Sequence, residues 1–408
     1  MVGWWFSSRS FAVTWVTSCA LISLLLISTA LGALQSQERI SCFLIGSVQA
    51  SICPLPSFFT EDPLFYYEED PHQAGLKMEE RIRHDRLYFP RSRDRLMEKF
   101  DIIFFADPYI DHFTSRQFGD LYYAFTEGGM PSYWSFGPAY GNVIQTTILA
   151  EILPISAYQG YYHRPWHARF RADRDPLFTP FIELGLEKVP GEAYAWMQPR
   201  MGTTTWADMH PLDLPWIVSW RPGQGESGLT WVFADEFNRQ WWGLASGSRG
   251  INPFSLEMMA NMVLYSLGRE LISDVYARRE ARHQISIYRT QKLLVISMLE
   301  WADMFGANTF SLSQDLRALD GKVQEALESY LAEDYGGSIA LADDALSGLN
   351  EIGEGAIALK DEALYWVYAI EWMTVTSVAI IGGVILWSLM VRRRMYREVV
   401  TTRGSILE

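Results

Sequence analysis

The strongest signal in this sequence is an uncharged apolar stretch near the C-terminus, Trp372–Val391. It has the length of about 20 residues that a helix needs to cross a bilayer. Trp366, Tyr368 and Trp372 stand at its N-terminal side, where aromatic rings prefer the headgroup layer. The basic residues Arg392, Arg393, Arg394 and Arg397 follow it. Because positive residues mark the cytoplasmic side, the sequence predicts a transmembrane helix over residues 369–391 and a cytoplasmic basic tail over residues 392–408.

A second uncharged apolar stretch runs from Phe11 to Leu34, after a short and mildly basic start. Its small residues Ala30, Gly32 and Ala33 are typical of a cleaved secretory signal, and its length also suits an uncleaved signal anchor. Both alternatives stay open for residues 1–36. Either one exports the chain that follows, so we expect a protein of the cell membrane whose main domain is extracytoplasmic.

The charge balance limits the class of partner. A net charge of −14 argues against nucleic acid, because phosphate binding needs a basic face. The expected partners are the membrane and other membrane or envelope proteins, and the sequence indicates no oligomeric state.

Cysteines are few. Besides Cys19 in the first apolar stretch, the chain has only Cys42 and Cys53. These two could close a short loop as a disulfide in an oxidising compartment, or remain two unpaired thiols, since spacing alone does not fix the geometry of a bond.

Residues 37–273 have the pattern of an α/β domain. The apolar runs Ser41–Val48 and Phe100–Pro108 read as buried strands, and the second is continuous, as in parallel strands covered on both faces. Thr114–Thr126 has helical spacing, and Trp216–Asp235 reads as a β-hairpin around glycines. This alternation predicts a parallel sheet with crossover helices.

Several segments of this range resemble, in the same order, a membrane-associated family of the class I glutamine amidotransferase-like fold. The segments are FPRSRDRLMEKFDIIFFAD, FTSRQFGDLYYAFTEGG, SFGPAYGNVIQTTILAEILPI, DPLFTPFIELGLEKVPG and PWIVSWRPGQG leading to VFADEFNRQWWG. The resemblance covers roughly residues 40–270 and implies a flavodoxin-like parallel sheet.

Active members of that fold use a cysteine nucleophile at a strand-to-helix elbow, a histidine base and an acid. No cysteine follows Cys53 here, so the resemblance implies a pseudoenzyme without glutaminase activity. The chain also has Gln240–Trp241–Trp242–Gly243 where related sequences often read His-Trp-Gly, and Asp175–Pro176 where they often have His-Pro.

Two weaker candidates for chemistry remain. Ser135, in YWSFGPAYG, lies where an elbow nucleophile would lie, but it needs a histidine within reach, and a turn serine is the alternative. His163 and His167 are four residues apart, as in some zinc sites, but Pro165 separates them and two exposed loop histidines are the alternative. No cofactor is predicted.

Aromatic residues suggest a binding surface. Rings in loops and at strand ends stack on sugars or on a partner's apolar surface, or else they pack the core. The candidate binding aromatics are Trp134, Tyr140, Trp166, Trp241 and Trp242.

Helix-forming residues dominate residues 274–368, the predicted stalk. Leu316, Leu319, Val323, Ala326 and Leu327 form an amphipathic stripe, and Gly336–Gly337 is predicted to break the helix. Helices joined by short turns pack as antiparallel neighbours, which predicts a small bundle or hairpin.

Taken together, these features predict a membrane-anchored extracytoplasmic protein with an inactive domain and a binding or scaffolding role in the cell envelope. One alternative is a cell-surface hydrolase of an amide or glycan that uses Ser135 or acidic residues. Another is a structural subunit of a membrane complex.

Overall fold

The structure is a computed structural model that describes residues 39–404, apart from 47–52, 72–75, 137–143, 172–175, 224–226, 238 and 244–251. The predictions for residues 1–36 and for Tyr140 lie outside the described residues. The chain divides into two compact units. The first contains the residues up to Gln284 together with Ala326–Ala340, and so extends beyond the predicted boundary at residue 273. The second contains Ile285–Glu325 and Leu341–Glu408.

The first unit contains a sheet and several short helices. Its strands are β1 (Ile40–Gly46), β2 (Phe65–Pro71), β3 (Ile102–Ala106), β4 (Ser132–Ser135), β5 (Ile155–Phe170), β6 (Pro190–Pro199), β7 (Thr204–His210), β8 (Leu214–Trp220) and β9 (Thr230–Phe233). Its helices are α1 (Leu55–Glu61), α2 (Met78–Tyr88), α3 (Arg93–Lys99), α4 (Ser115–Thr126), α5 (Thr179–Glu183), α6 (Arg239–Trp242) and α7 (Ser255–Ser266), with 3-10 turns at Ile148–Ile152 and Leu186–Lys188.

The described strands form one 9-stranded sheet in the order β2-β1-β3-β4-β9-β8-β7-β5-β6. β2, β1, β3, β4 and β9 pair in parallel, which confirms the α/β class. The sheet is mixed rather than parallel throughout, because β9, β8, β7, β5 and β6 pair antiparallel. Only three residues, 211–213, join β7 to β8, and so short a turn can connect only antiparallel neighbours.

The parallel strands have the burial that their apolar runs predict. All five residues of β3 are buried, since helices cover both faces: Phe104 contacts Phe59 of α1, and Phe105 contacts Phe125 of α4. Strands β1 and β3 approach closely at their carboxyl ends, where a Cβ on Gly46 would lie 2.0 Å from the carbonyl oxygen of Ala106. This contact requires glycine at position 46, whose φ is +138°.

Helix α4 begins at the predicted position because Thr114 caps it. The Thr114 hydroxyl accepts from the Gln117 N–H at 3.3 Å, and the Gln117 side chain accepts from the Thr114 N–H at 2.9 Å. This reciprocal pair satisfies donors that the first helical turn leaves open. It places the N-terminus of α4 beyond the carboxyl end of β3.

Three helices form the second unit: α8 (Val275–Met304), α9 (Phe310–Leu331) and α10 (Tyr335–Gly404). One end of each helix belongs to the first unit. One apolar core joins the three helices and contains Tyr288, Val295, Leu299, Leu316, Leu319, Val323, Ala345, Leu349, Ile352 and Ala356. The Lys292 ammonium lies 2.7 Å from the Asp320 carboxylate and links α8 to α9. The three helices of this unit therefore pack around one shared core.

The break between α9 and α10 differs from the prediction. Gly336 and Gly337 lie in the first turn of α10, and the chain turns instead at Glu333, whose φ is +63°. The predicted stripe from Leu316 to Leu327 is buried as expected.

Helix α10 contains the predicted apolar stretch. Among the described residues it is the one helix long and apolar enough to cross a membrane, by length and composition. From Glu371 to Val391 every residue except Gly382 is exposed. This helix is consistent with membrane association.

Candidate functional site at the carboxyl edge of the sheet

The carboxyl ends of β1, β3, β4 and β9 meet at one edge of the sheet, which is where α/β folds usually bind ligands. Four polar residues stand at these strand ends. Asp107 follows β3 with φ +47°, and its N–H donates to the Ser135 carbonyl at 3.0 Å. Ser135 ends β4, and Asp235 and Glu236 follow β9. These residues define the candidate site.

Asp235 is fully buried and accepts hydrogen bonds from two tryptophans. Its two carboxylate oxygens accept from the indole N–H groups of Trp216 at 2.8 Å and Trp242 at 2.6 Å. Burial raises the pKa of Asp235 to about 7, against the opposing effect of the two indole hydrogen bonds. The carboxylate thereby fixes β8 and α6 to the end of β9.

Glu236 forms the more accessible part of the site. The Tyr161 hydroxyl on β5 donates a hydrogen bond to it, and the Tyr161 ring meets the His163 ring edge-on at 5.0 Å. Burial raises the pKa of Glu236, while the Tyr161 hydrogen bond and the charge of His163 lower it. Glu236 was not among the candidate residues predicted from the sequence; its place directly after a strand was the available signal.

Ser135 is not arranged as a nucleophile. Its side chain is completely buried, and its hydroxyl donates to the main-chain carbonyl of Phe105 at 3.4 Å. In the described part of the chain no hydrogen bond joins Ser135 to a histidine, although a nucleophile and its base need to lie about 3 Å apart.

The two thiols are also structural. Cys42 and Cys53 are free and buried, so the disulfide considered from the sequence is not formed. Cys42 lies inside β1 and Cys53 just before α1, and each packs in the apolar core. Burial raises the pKa of Cys42 well above its usual value and that of Cys53 to about 12.

The predicted binding aromatics lie in the core. Trp134, Trp166, Trp241 and Trp242 have no exposed surface. Trp134 stacks on Phe105 with ring centroids 3.7 Å apart, and Trp241 and Trp242 contact each other at 4.8 Å. As a binding surface the prediction for these four residues was wrong, because strands β4 and β5 and helix α6 direct them inward.

His163 and His167 do not share a helix face. Both are exposed on β5, and register shifts between His163 and Trp166 disturb the strand alternation. His167 instead pairs across the strands with His210. Over the described ranges no group of three or more His, Cys, Asp or Glu side chains is placed to hold a metal ion.

The loop after β3 is fixed to α2. The Arg81 guanidinium lies over the Tyr109 ring at 4.2 Å and 3.6 Å from Asp111. The His112 Nε2 lies 2.9 Å from the Asp85 carboxylate, and both side chains are buried. These contacts hold the loop that leads into α4.

A cavity of about 430 Å³ lies between this loop and α2. Three arginines line it, Arg86 on α2, Arg91 between α2 and α3, and Arg116 in the first turn of α4. The Arg116 guanidinium also donates to the Arg91 carbonyl at 2.9 Å and to Asp120 at 2.7 Å, so its position is fixed. We name this cavity the arginine pocket; no motif in the sequence predicts it.

Comparisons with known proteins identify no family. No family model and no curated protein matches the chain. Among solved structures, the chain is similar to one described as "mmIFT52 N-terminal domain", with 11% sequence identity and a TM-score of 0.33. The match covers 57% of this chain and 99% of that one. A likeness at this level carries no conclusion about fold family or function.

Proposed function

We propose that this protein is a membrane-anchored binding protein of the cell envelope, and that its α/β domain binds an anionic ligand without catalysing a reaction. The arginine pocket is the observation that carries this proposal. Three arginines line a cavity of ligand size, against one acidic residue, Asp85, whose carboxylate lies 2.9 Å from His112, and a guanidinium group suits bidentate binding of a carboxylate or phosphate. The N-terminus of α4 adds a partial positive charge from the same side.

The resemblance to the class I glutamine amidotransferase-like fold is part of this proposal. It is supported by the order β2-β1-β3-β4-β9 in the parallel half of the sheet, the order of a flavodoxin-like domain. A role without glutaminase activity is supported by the two buried thiols, whose pKa values are raised. Thiolate, the nucleophilic form, is then scarce at neutral pH.

The proposed anchor is the apolar part of α10. Its exposed side chains would be strongly unfavourable in water, at about 25 cal/mol per Å² of apolar surface. The arginines that follow Val391 favour a cytoplasmic C-terminus and an extracytoplasmic domain. A membrane-impermeant maleimide tests this topology in intact cells. Met201→Cys, at a position that is 100% exposed, should react, and Gly404→Cys should react only after the cells are opened.

Ligand binding is tested on the full chain in detergent, by calorimetric titration with inorganic phosphate and with citrate. Arg86→Ala combined with Arg116→Ala should weaken binding at least about tenfold, because each lost charge-assisted hydrogen bond is worth about 1.5–3 kcal/mol. Arg83→Ala is the matched control, since Arg83 is exposed on the same helix and does not line the pocket. Equal affinities for all three proteins would reject the pocket as the binding site.

A hydrolase remains a second candidate because of Glu236. Its raised pKa and its hydrogen bond from Tyr161 are features of a general acid. Glu236→Gln should abolish any amide or glycan hydrolysis by the purified protein, whereas Ser135→Ala should leave it unchanged. Absence of hydrolysis in the unaltered protein would remove this candidate.

A further inference from the structure

Large apolar side chains are exposed at one end of the second unit. Trp301 and Met304 at the end of α8 are 47% and 81% exposed, and Phe310 at the start of α9 is 74% exposed. On α10, Trp366 and Ile370 are 57% and 56% exposed. Exposed apolar groups gathered in this way mark a docking surface.

These side chains surround the turn between α8 and α9. A cavity of about 490 Å³ lies between that turn, at Phe305–Asn308, and the face of α10 that carries Leu359, Trp366 and Ile370. The Lys360 ammonium lies 4.9 Å from the centre of the Trp301 ring, which places Trp301 beside the same part of α10. We name the turn and its flanking apolar residues, Trp301–Phe310, the turn patch.

The cavity beside the turn patch reaches the height where α10 would enter a bilayer. Ile370, which lines the cavity, is two residues before Trp372, or about 3 Å along the helix axis. The interfacial layer on each side of a bilayer is about 5–7 Å thick, so Ile370, at one end of the cavity, and the start of the apolar stretch fall within one layer.

The chemistry of the turn patch suits this layer. Trp301 contacts Lys360 of α10, and Tyr365, Trp366 and Tyr368 follow along the same helix; tryptophan and tyrosine are the residues enriched at membrane interfaces. The nearby charged residues include the acids Glu300, Asp303, Asp361 and Glu362 against the single cation Lys360, and this negative balance disfavours an anionic lipid surface. The surface therefore fits zwitterionic lipid.

We propose that the turn patch is a second membrane contact, which inserts Met304 and Phe310 into the interface of the leaflet that α10 enters. This inference rests on the proposed membrane anchor. The occupant of the apolar surface is the glycerol and upper acyl region of zwitterionic lipid. The turn patch and α10 would then contact the membrane at two separate points, which restricts the tilt of the three-helix unit against the membrane.

The test uses the full chain with Cys19→Ser, reconstituted at one copy per phosphatidylcholine nanodisc. Single cysteines at Met304, Phe310, Leu386 and Glu325 carry a polarity-sensitive fluorophore, and lipids with a doxyl quencher at carbon 5 or carbon 12 report depth. Glu325 is the control, because it is exposed on α9 about 22 Å from Phe310 along the helix.

We expect a blue shift and several-fold stronger quenching by the carbon-5 lipid at Met304→Cys and Phe310→Cys than at Glu325→Cys. Leu386→Cys should be quenched most by the carbon-12 lipid. If the labels at 304 and 310 match the one at 325 while the label at 386 is quenched, the turn patch does not touch lipid and the anchor stands. If the label at 386 is also unquenched, the anchor itself is wrong. A blue shift at 304 and 310 without lipid quenching would indicate that protein covers the turn patch, and would overturn the inference.

Discussion

The guanidinium of Arg278 donates to the carboxylate of Asp62 over 2.7 Å, although 216 positions separate the two residues in the chain. Their side chains are 2% and 0% exposed. The other Asp62 oxygen accepts from the Tyr330 hydroxyl at 3.0 Å. The first turns of α8 and the last turn of α9 are thereby bonded to the end of α1, which explains why these helical segments belong to the first compact unit.

Breaking this pair should destabilise the first unit strongly. Asp62→Asn keeps the side-chain volume but leaves the Arg278 charge buried without its counter-charge. We therefore expect a loss of about 3–5 kcal/mol in the free energy of unfolding. Chemical denaturation in detergent measures it. Arg83→Ala, at an exposed position on α2, should change the same quantity by less than about 0.5 kcal/mol. A loss below about 1 kcal/mol for Asp62→Asn would show that the pair contributes little.

Asp235 should make stability fall as pH rises. Its pKa is raised from 3.8 in the unfolded chain to about 7 in the folded protein. Between about pH 4 and pH 7 the folded state therefore holds a proton that the unfolded state has lost, and raising the pH across this window costs up to about 4 kcal/mol. Asp235→Asn should remove this dependence from a plot of melting temperature against pH. Glu98→Gln, at an exposed position on α3, should preserve it; an unaltered slope in Asp235→Asn would contradict the assignment.

Cys42 and Cys53 should be unreactive in the folded protein. Both thiols are buried and protonated at pH 8, and the thiolate is the form that reacts. In a Cys19→Ser chain, a thiol reagent should detect no thiol before unfolding and both thiols afterwards without a reductant. Met201→Cys should react at once, because position 201 is 100% exposed. Two thiols that appear only after reduction would mean that a disulfide forms.

Gly46→Ala should separate the carboxyl ends of β1 and β3. The new Cβ would lie 2.0 Å from the Ala106 carbonyl oxygen, at a φ of +138° that alanine rarely adopts. We expect a loss of about 2–4 kcal/mol in the free energy of unfolding. Gly119→Ala is the matched control on α4, where a Cβ meets nothing within 4 Å, and should stabilise by about 0.5–1 kcal/mol. Equal effects of the two substitutions would contradict the close approach.

Local elements of the fold were predictable. Strands β1 and β3 and helix α4 begin and end within a few residues of the predicted ranges, because their signals, an apolar run and helical spacing, act over neighbouring residues. The β8–β9 hairpin was predictable for the same reason. The antiparallel extension through β5, β6 and β7 was not, since it depends on pairing between residues distant in sequence.

The candidate site was less predictable than the fold. From the sequence, Trp134 and Trp242 could equally be core residues or binding residues. Only the packing of β4 and α6 shows that they are buried. The arginine pocket joins Arg86, Arg91 and Arg116 from three segments with no shared motif. Their convergence follows from the fixed loop between β3 and α4.

By itself, the sequence determined the apolar helix with its arginines and the helical character of the stalk, because length, hydropathy and spacing along one helix are local properties. Tertiary structure alone decided which polar groups are buried. Asp62 with Arg278, and Asp235 with two indoles, are ordinary residues in the sequence, and their environment arises from contacts between distant segments. A charge is buried only where such contacts provide its partners.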